Sequence, residues 1–262
     1  DRSAFHYYPP ECFSLSPWGF SLLKERKRKP NPMVSDFFEL GDEPVYEIFA
    51  GAALPWEPLS RIKAFVRSFL EKNGCRVPAN LPPNVHILGD VYIEDGAILE
   101  SGIYIAGPTL IFRGAEIRFG AYIRGDVIVA EKALVGHDTE VKHSLLLPGA
   151  KAAHFAYVGD SILGRSVNLG AGTKLANVKV DMGKTSVKVK LDGVLHDTNL
   201  RKFGAVLGDA VSLGCNSVTN PGTVVGRESL AYAQSNLAGS YPAYSLIKNK
   251  PQQQVVRRHQ PQ

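Results

Sequence analysis

Aliphatic residues recur at every sixth position through the middle of this chain. Four places after each of the first nine comes a small or branched residue, from Val91 to Thr139. No helix has a period of six, and an ordinary strand alternates every two residues. The twelve aliphatic positions are Ile87, Ile93, Leu99, Ile105, Ile111, Ile117, Ile123, Val129, Val135, Val141, Leu147 and Ala153.

A fixed six-residue repeat is typical of a parallel β-helix, in which each hexad supplies one short strand and one corner. Three hexads make one triangular coil, and successive coils stack at about 4.8 Å. The aliphatic side chain fills the narrow interior, and the small residue fits the tight corner. An all-β sandwich would not keep one phase for twelve cycles, so we predict an all-β chain built as a parallel β-helix.

The repeat is interrupted twice. Its phase slips within KAAHFAYVGD, residues 151–160, and resumes at Val158 and Leu163. It breaks again over residues 178–203, where alternating Val and Lys (VKVK) predict an excursion loop or hairpin that leaves the solenoid. The period then returns more loosely, from Leu207 to Leu237.

The flanking segments have different compositions. Residues 1–33, rich in Pro, Tyr and basic residues, predict a poorly ordered extension. Residues 34–84 predict a cap with one amphipathic helix at about 57–73, whose apolar stripe covers an open end of the solenoid of residues 85–240. The Gln-, Arg- and Pro-rich residues 241–262 predict a C-terminal tail.

Charge and cysteine content exclude several classes of protein. The net charge is +5, but residues 1–33 carry six basic and three acidic residues, which leaves only +2 elsewhere. That excess is too small to indicate a nucleic-acid partner. No apolar run is long enough to cross a bilayer, so we expect no membrane insertion. Three widely spaced cysteines fit a reducing cytoplasm better than a disulfide scaffold.

Two basic residues lie one coil apart. Arg124 and Lys142 each follow an aliphatic position, so they should stack about 5 Å apart on one face. Two cations at that distance repel unless an anion is close. Glu140 could supply it in a structural salt-bridge ladder; the functional alternative is a phosphate or carboxylate site. The spacing alone leaves both interpretations open.

A histidine and a tyrosine occur at the phase slip. A lone histidine is usually a surface or packing residue, but His154 lies with Tyr157 where the chain leaves its regular path, and imidazole can accept a proton near pH 7. Zinc is the alternative for His137, His143 and His154. Their spacings of six and eleven residues predict different faces, and no cysteine or carboxylate pair completes a ligand pattern, so we expect no metal.

These residues carry a family resemblance. EVKHSLLLPGAKAAHFAYVGDSILGRSVNLGAGTKLANVK (140–179) resembles the acetyltransferase domain of bifunctional glucosamine-1-phosphate acetyltransferase/N-acetylglucosamine-1-phosphate uridylyltransferases, and the segment from VKVKLDG to NPGT resembles its archaeal version more closely. The resemblance covers about residues 85–240. It implies a left-handed β-helix, a homotrimer with active sites between subunits, and acetyl transfer from acetyl-CoA to an amino-sugar 1-phosphate.

The resemblance also implies roles for single residues. His154 matches the catalytic base, and Asn177 matches an asparagine near the reacting amine. Residues that match sugar-phosphate contacts are Arg124, Lys142, Tyr157, Asn168, Lys184 and Lys188. Positions that match acetyl-CoA contacts are Ala171, Cys215, Ala233 and Lys250.

The chain departs from the family pattern at three points. Val178 follows Asn177 where the bacterial enzymes have tyrosine, and Cys215 replaces a serine. Residues 1–84 contain no Gly-rich phosphate loop and are too few for a nucleotidyltransferase domain, so we expect no uridylyl transfer. Two other functions stay open: a non-catalytic scaffold or regulatory protein that binds a sugar nucleotide, and an acyltransferase with another acceptor, such as a nucleotide-linked amino sugar. A zinc hydratase comes last.

Overall fold

Three parallel sheets of eight strands each form the sides of a solenoid in the computed structural model, which describes residues 33–182 and 184–249. Successive strands along the chain belong to different sheets, so each coil contributes one strand to each face. This architecture confirms the predicted all-β parallel β-helix. Residues 1–32, which form most of the predicted extension, lie outside the described residues, and so does Lys250.

The three sheets are called face 1, face 2 and face 3 in chain order. Face 1 consists of β1 (His86–Leu88), β4 (Tyr104–Ala106), β7 (Tyr122–Arg124), β10 (Glu140–Lys142), β13 (Tyr157–Gly159), β16 (Lys174–Leu175), β21 (Val218–Thr219) and β24 (Asn236–Leu237). Face 2 consists of β2 (Val91–Ile93), β5 (Thr109–Ile111), β8 (Val127–Val129), β11 (Ser144–Leu146), β14 (Ile162–Leu163), β19 (Ala205–Leu207), β22 (Thr223–Val225) and β25 (Ser240–Tyr241). Face 3 consists of β3 (Ile98–Leu99), β6 (Glu116–Ile117), β9 (Leu134–His137), β12 (Lys151–His154), β15 (Asn168–Leu169), β20 (Ser212–Leu213), β23 (Leu230–Ala231) and β26 (Leu246–Ile247).

The interior is a continuous stack of aliphatic side chains. Ile105, Ile123, Val141 and Val158 occupy one column of face 1, and all four are fully buried. Each such side chain stabilises the fold by about 1.5–3 kcal/mol relative to full exposure. Since the column is continuous, each coil fixes the register of the next.

The phase slip falls at a different place from the predicted one. Val141 pairs with Val158 and Val129 with Leu146, so these coils have seventeen residues. The shortened segments are residues 142–144 and 159–161, at the corner between faces 1 and 2. Leu146 and Ala152 therefore join the interior in place of the predicted Leu147 and Ala153.

The same corner is where the chain leaves the solenoid. The excursion begins after Asn177 and ends at Phe203, whose backbone N–H donates to the Asn177 carbonyl at 2.9 Å. Within it, β17 (Lys188–Leu191) and β18 (Val194–Asp197) form an antiparallel hairpin. Its buried residues Val187, Val189 and Leu191 pack into the outer apolar cluster described next.

Face 2 is buried on both sides. Six of its strands are buried at every residue: β5, β8, β11, β14, β19 and β22. Their outward side chains, including Ile128 and Leu145, form a second apolar cluster with the N-terminal segment. Faces 1 and 3 carry exposed polar side chains instead, so they are the surfaces left for ligands or partners.

The N-terminal cap covers the side of the solenoid at face 2, so the prediction that its helix covers an open end is wrong. Two short 3-10 helices (Val34–Asp36 and Pro44–Phe49) precede α1 (Glu57–Asn73). The apolar stripe of α1 comprises Leu59, Ile62, Val66 and Leu70, all buried, and it packs over β8 and β11. Gly74 ends the helix at a φ of 76°, which glycine adopts without strain. In the part of the chain that the structure describes, no helix is long and apolar enough to cross a membrane.

Packing between the cap and the solenoid should contribute strongly to stability. Ile62 is fully buried, so we expect Ile62→Ala to lower the free energy of unfolding by about 2–5 kcal/mol, through lost burial and the cavity left behind. Lys63→Ala, at an exposed neighbouring position, is the matched control and should change it by less than about 0.5 kcal/mol. Urea denaturation of both variants would measure this, and equal stabilities would contradict the packing described here.

Candidate functional site

A polar cluster occupies the shortened corner between faces 1 and 2. The Lys142 Nζ lies 3.6 Å from Asp160 Oδ2. The Asn177 Nδ2 also donates to Asp160 Oδ2, and the Tyr157 hydroxyl donates to Asn177 Oδ1 at 3.3 Å. Asp160 and Asn177 are only 6% and 7% exposed. Lys142, Tyr157, Asp160 and Asn177 are called the corner cluster below.

Asp160 determines which way the Asn177 amide points. A carboxylate only accepts hydrogen bonds, so the Asn177 NH₂ group must face Asp160. The amide oxygen then faces Tyr157, and the phenol proton is directed at that oxygen. Burial raises the pKa of Tyr157, and the carboxylates of Glu140 and Asp160 raise it further. The phenol therefore stays protonated at neutral pH, with its lone pairs free to accept from a ligand.

Arg124 lies one strand away from Lys142, as predicted. The pairing of Ile123 with Val141 makes the two cations neighbours on face 1. Arg124 Nη1 donates to Glu140 Oε1 at 2.8 Å, and this hydrogen bond raises the pKa of Arg124. The salt-bridge ladder expected as the structural alternative is therefore present. Guanidinium has five N–H donors, so an anion could still bind those that Glu140 does not use.

His154 lies at a different corner, between faces 3 and 1. It is the last residue of β12, is exposed to solvent, and its ring centroid lies 6.4 Å from that of Phe155. His154 pairs with His137 on the preceding coil. The prediction that these two histidines lie on different faces is therefore wrong, because the seventeen-residue coil brings them into register.

The third histidine of the zinc alternative is engaged in the cap contact. His143 Nε2 lies 3.0 Å from the Leu59 carbonyl oxygen, and its Nδ1 lies 3.5 Å from Asp126 Oδ2. In residues 33–182 and 184–249, no group of three His, Cys, Asp or Glu side chains is arranged to hold a metal ion. His143 is a structural residue that joins the corner to α1.

The proposed base and three proposed coenzyme contacts form one column. The backbone N–H of Gly172 donates to the His154 carbonyl at 3.0 Å, which places Ala171 beside His154 on the next coil. Equivalent bonds of 2.8 Å, from Asn216 to Ala171 and from Gln234 to Cys215, continue the register. The column is His154, Ala171, Cys215 and Ala233. The three small side chains that follow His154 leave a shallow strip along this corner.

The remaining predicted residues lie elsewhere. Asn168 is exposed on face 3, where it pairs with Lys151 and Ser212. Lys184 and Lys188 are exposed on the excursion, which returns over the outer apolar cluster. The structure thus brings together Lys142, Tyr157 and Asn177 with Arg124 nearby, and places Asn168 on a different face of the same chain.

Two residues of the site were missed in the sequence. Asp160 ends the quoted stretch KAAHFAYVGD, and an acidic residue at a tight corner was the feature that could have identified it. Lys174 pairs with Tyr157 across neighbouring strands, and its Nζ donates to the carbonyls of Phe155 at 3.0 Å and Gly172 at 2.8 Å. It adds a cation at the corner between faces 3 and 1, where His154 lies.

The solenoid and its polar corner define a protein of the hexapeptide-repeat class. The model of the GMPPB C-terminal domain family matches residues 105–236, half of the chain, and the chain belongs to that family. It is 43% identical over 155 residues to a bifunctional sugar-1-phosphate nucleotidylyltransferase/acetyltransferase of Sulfurisphaera tokodaii, covering 59% of this chain and 37% of that protein. It is 34% identical over 205 residues to the bifunctional protein GlmU of Methanococcus vannielii, covering 78% of this chain and 48% of that protein.

These relatives confirm the resemblance found in the sequence. The chain spans less than half the length of both curated relatives. Among solved structures, the acetyltransferase domain of PglB from Neisseria gonorrhoeae FA1090 matches at 15% identity with a TM-score of 0.21, over 78% of this chain and 74% of that one. A hexapeptide transferase family protein from Anaplasma phagocytophilum matches at 15% identity with a TM-score of 0.22, over 60% of this chain and 76% of that one.

Removing the Asp160 carboxylate should destabilise the corner. Asp160→Ala leaves the Asn177 amide and the Lys142 ammonium without their buried partner, at a cost of about 1–3 kcal/mol. Asp160→Asn keeps an acceptor for Asn177 and tolerates the left-handed φ of 46°, so we expect a smaller loss. Asp192→Ala, at a φ of 45° in the exposed turn of the hairpin, is the control for the backbone contribution. If urea unfolding shows equal losses for the two alanine variants, Asp160 does not organise the cluster.

Proposed function

We propose that the chain is an acetyl-CoA-dependent N-acetyltransferase acting on an amino-sugar 1-phosphate, glucosamine 1-phosphate or galactosamine 1-phosphate. The observation that supports this most is the column of His154, Ala171, Cys215 and Ala233, which adjoins the face that carries the corner cluster. One corner thus offers a base in line with a shallow strip for an extended thioester. The adjoining face offers cations, a phenol and an amide for a sugar phosphate.

Each group has a distinct task in this proposal. His154 takes a proton from the amine of the sugar, so that the nitrogen can attack the thioester carbonyl. General-base catalysis of this kind contributes about 10²–10⁴ in rate. Arg124 and Lys142 hold the phosphate, and Tyr157 and Asn177 orient the sugar near the reacting amine, with Lys184 and Lys188 of the excursion as further contacts. The gain from these groups is one of positioning.

The transfer is direct rather than through an acyl-enzyme. The amine nitrogen forms the new bond to the acetyl carbon, the carbon–sulfur bond breaks, and coenzyme A leaves as the thiol. Backbone N–H groups of the NLGAGT turn, residues 168–173, are candidates to stabilise the oxyanion. Cys215 lies on the coenzyme strip, two column positions beyond His154, and the sequence places no base beside it to activate it as a nucleophile.

We propose that the complete site forms between copies of the chain, in a homotrimer. Asn168 lies on face 3 and Lys142 on face 1 of one chain, so a neighbouring copy that presents the other face would bring the two sets together. The exposed free thiols of Cys75 and Cys215 favour a reducing, cytoplasmic location. Lys250, a further proposed coenzyme contact, lies outside the described residues.

A non-catalytic scaffold is the second candidate, and one observation favours it. Arg124 and Lys142 are each paired with a carboxylate, Glu140 and Asp160. Such a ladder stabilises a solenoid face without any ligand. The assay below separates this function from the acetyltransferase.

Thiol release from acetyl-CoA tests the proposed activity and its base. With glucosamine 1-phosphate or galactosamine 1-phosphate as the acceptor, we expect turnover that His154→Ala lowers by about 10²–10⁴. His137→Ala is the matched control, since His137 occupies the same corner one coil away, and it should keep most of the activity. Turnover that survives His154→Ala would remove this residue from the mechanism. A folded protein inactive with both sugars would favour a different acceptor or the scaffold.

Protection of a thiol tests the coenzyme strip independently of turnover. Cys215 and Cys75 are both exposed, but only Cys215 lies on the strip. We expect saturating acetyl-CoA to slow alkylation of Cys215 by iodoacetamide at least several-fold and to leave Cys75 unaffected, as measured by mass spectrometry of the two peptides. Equal alkylation of Cys215 with and without acetyl-CoA would place the coenzyme elsewhere.

A further inference from the structure

An open cavity on face 1 is not used by the proposed reaction. It lies on the first three coils, and its volume is about 430 Å³, within the range of small-molecule sites. His86, Tyr104 and Tyr122 pair in register, so their side chains form one column along its floor. This cavity is called the tyrosine trough. It is lined by Asn84, His86, Gly102, Ile103, Tyr104, Gly120, Ala121 and Tyr122.

The trough is continuous with the corner cluster. The column that contains Tyr104 and Tyr122 continues to Glu140 and then to Tyr157. Arg124 follows Tyr122 by two residues on the same strand, and its guanidinium carbon lies 6.0 Å from the centroid of the Tyr122 ring. Along the solenoid axis Tyr157 therefore comes first and Lys142 follows, and Arg124 lies at the level of Tyr122, where the aromatic floor begins.

The chemistry of the trough suits a flat heterocycle with hydroxyl groups attached. The rings of Tyr104 and Tyr122 meet edge to face with centroids 5.3 Å apart, and Tyr122 is 43% exposed. A nucleobase stacks on such a ring whatever its identity. At the N-terminal end of the trough, the amide of Asn84 and the imidazole of His86 can hydrogen-bond to a base edge or to ribose hydroxyls.

We propose that the site also accepts an amino sugar linked through a pyrophosphate to a nucleoside, with the nucleoside bound in the tyrosine trough. This inference rests on the proposed acetyl transfer and adds a second class of acceptor to the amino-sugar 1-phosphates. Tyr157 and Tyr104 are three strand spacings apart, about 14 Å. A sugar with a single phosphate is too short to reach both, whereas a nucleotide-linked sugar is long enough. Its two phosphates meet Arg124 and Lys142 between the two ends.

The nucleotide of the coenzyme does not account for the trough. From His154, the coenzyme strip runs through Ala171 and Cys215 to Ala233, toward the C-terminal coils. The trough lies in the opposite direction along the axis, on the N-terminal coils. The Glu140 carboxylate stands between the two tyrosines of the trough and Tyr157, but its charge is offset by Arg124 at 2.8 Å. The pyrophosphate binds the remaining donors of that guanidinium.

Calorimetric titration with UDP, GDP and inorganic pyrophosphate tests the site directly. Coenzyme A is kept at saturation, so that nucleotides do not occupy its strip. We expect both nucleotides to bind more tightly than pyrophosphate. Tyr122→Ala should weaken nucleotide binding by roughly 5- to 150-fold, the range for loss of one stacked base. Tyr104→Ala should weaken it in the same direction, and Tyr244→Ala, an equally exposed tyrosine on the C-terminal coils, should leave it unchanged.

Two results of the titration would overturn the proposal. One is equal affinity for the nucleotides and pyrophosphate, since the nucleoside then adds nothing. The other is nucleotide binding that neither Tyr122→Ala nor Tyr104→Ala weakens. Sedimentation of the same variants tests the other possible occupant of the trough, a second copy of the chain. If either substitution dissociates the assembly, the trough is a contact between copies of the chain and not a ligand site.

Transfer kinetics separate this inference from the proposed function. We expect Tyr122→Ala to lower kcat/KM for UDP-linked glucosamine by roughly 5- to 150-fold more than for glucosamine 1-phosphate. An equal loss for the two acceptors would overturn the trough as a nucleoside site. Nucleotide binding that depends on Tyr122, with no acetyl transfer to either acceptor, would refute the transferase and retain the trough as a nucleotide site.

Discussion

The stacked aliphatic interior is the constraint on which the rest of the molecule depends. The prism is narrow and is filled by aliphatic side chains, with Thr219 as a polar member of the face 1 column, so each coil must lie directly on the one before. Every outward side chain then inherits its neighbours from this register. The alignment of His154 with Ala171, and of Tyr122 with Tyr104, follows from interior columns that these residues do not themselves belong to.

A shortened corner converts this regular scaffold into a site. Two successive coils lose one residue each between faces 1 and 2, and the next coil opens there into the excursion. The chain gains a buried acid, Asp160, at a left-handed φ of 46°. The Asp160 carboxylate orients the Asn177 amide. The backbone carbonyl of Asp160 accepts a hydrogen bond from the Gly204 N–H at 2.8 Å, where the excursion rejoins the solenoid. One residue therefore links the amide of the site to the base of the loop.

The cap determines which surfaces remain for function. Because α1 and the hairpin bury the outward side of face 2, faces 1 and 3 are the surfaces that ligands and neighbouring copies can contact. The corner cluster, the tyrosine trough and the proposed coenzyme strip all lie on face 1 or at its edges with faces 2 and 3. Asn168 lies on face 3, apart from the corner cluster, which is why we propose that a second copy completes the site.

The six-residue period determined the solenoid by itself, because no other fold holds an aliphatic residue at that spacing for twelve cycles. The period also placed Arg124 beside Lys142, since eighteen residues make one ordinary coil. The period did not determine the position of the slip, because Leu146 and Leu147 are equally aliphatic and only packing decides which one enters the prism. The seventeen-residue coils then set the pairing of His137 with His154 and the burial of Asp160. These depend on how corners close in three dimensions, which residue identity alone does not encode.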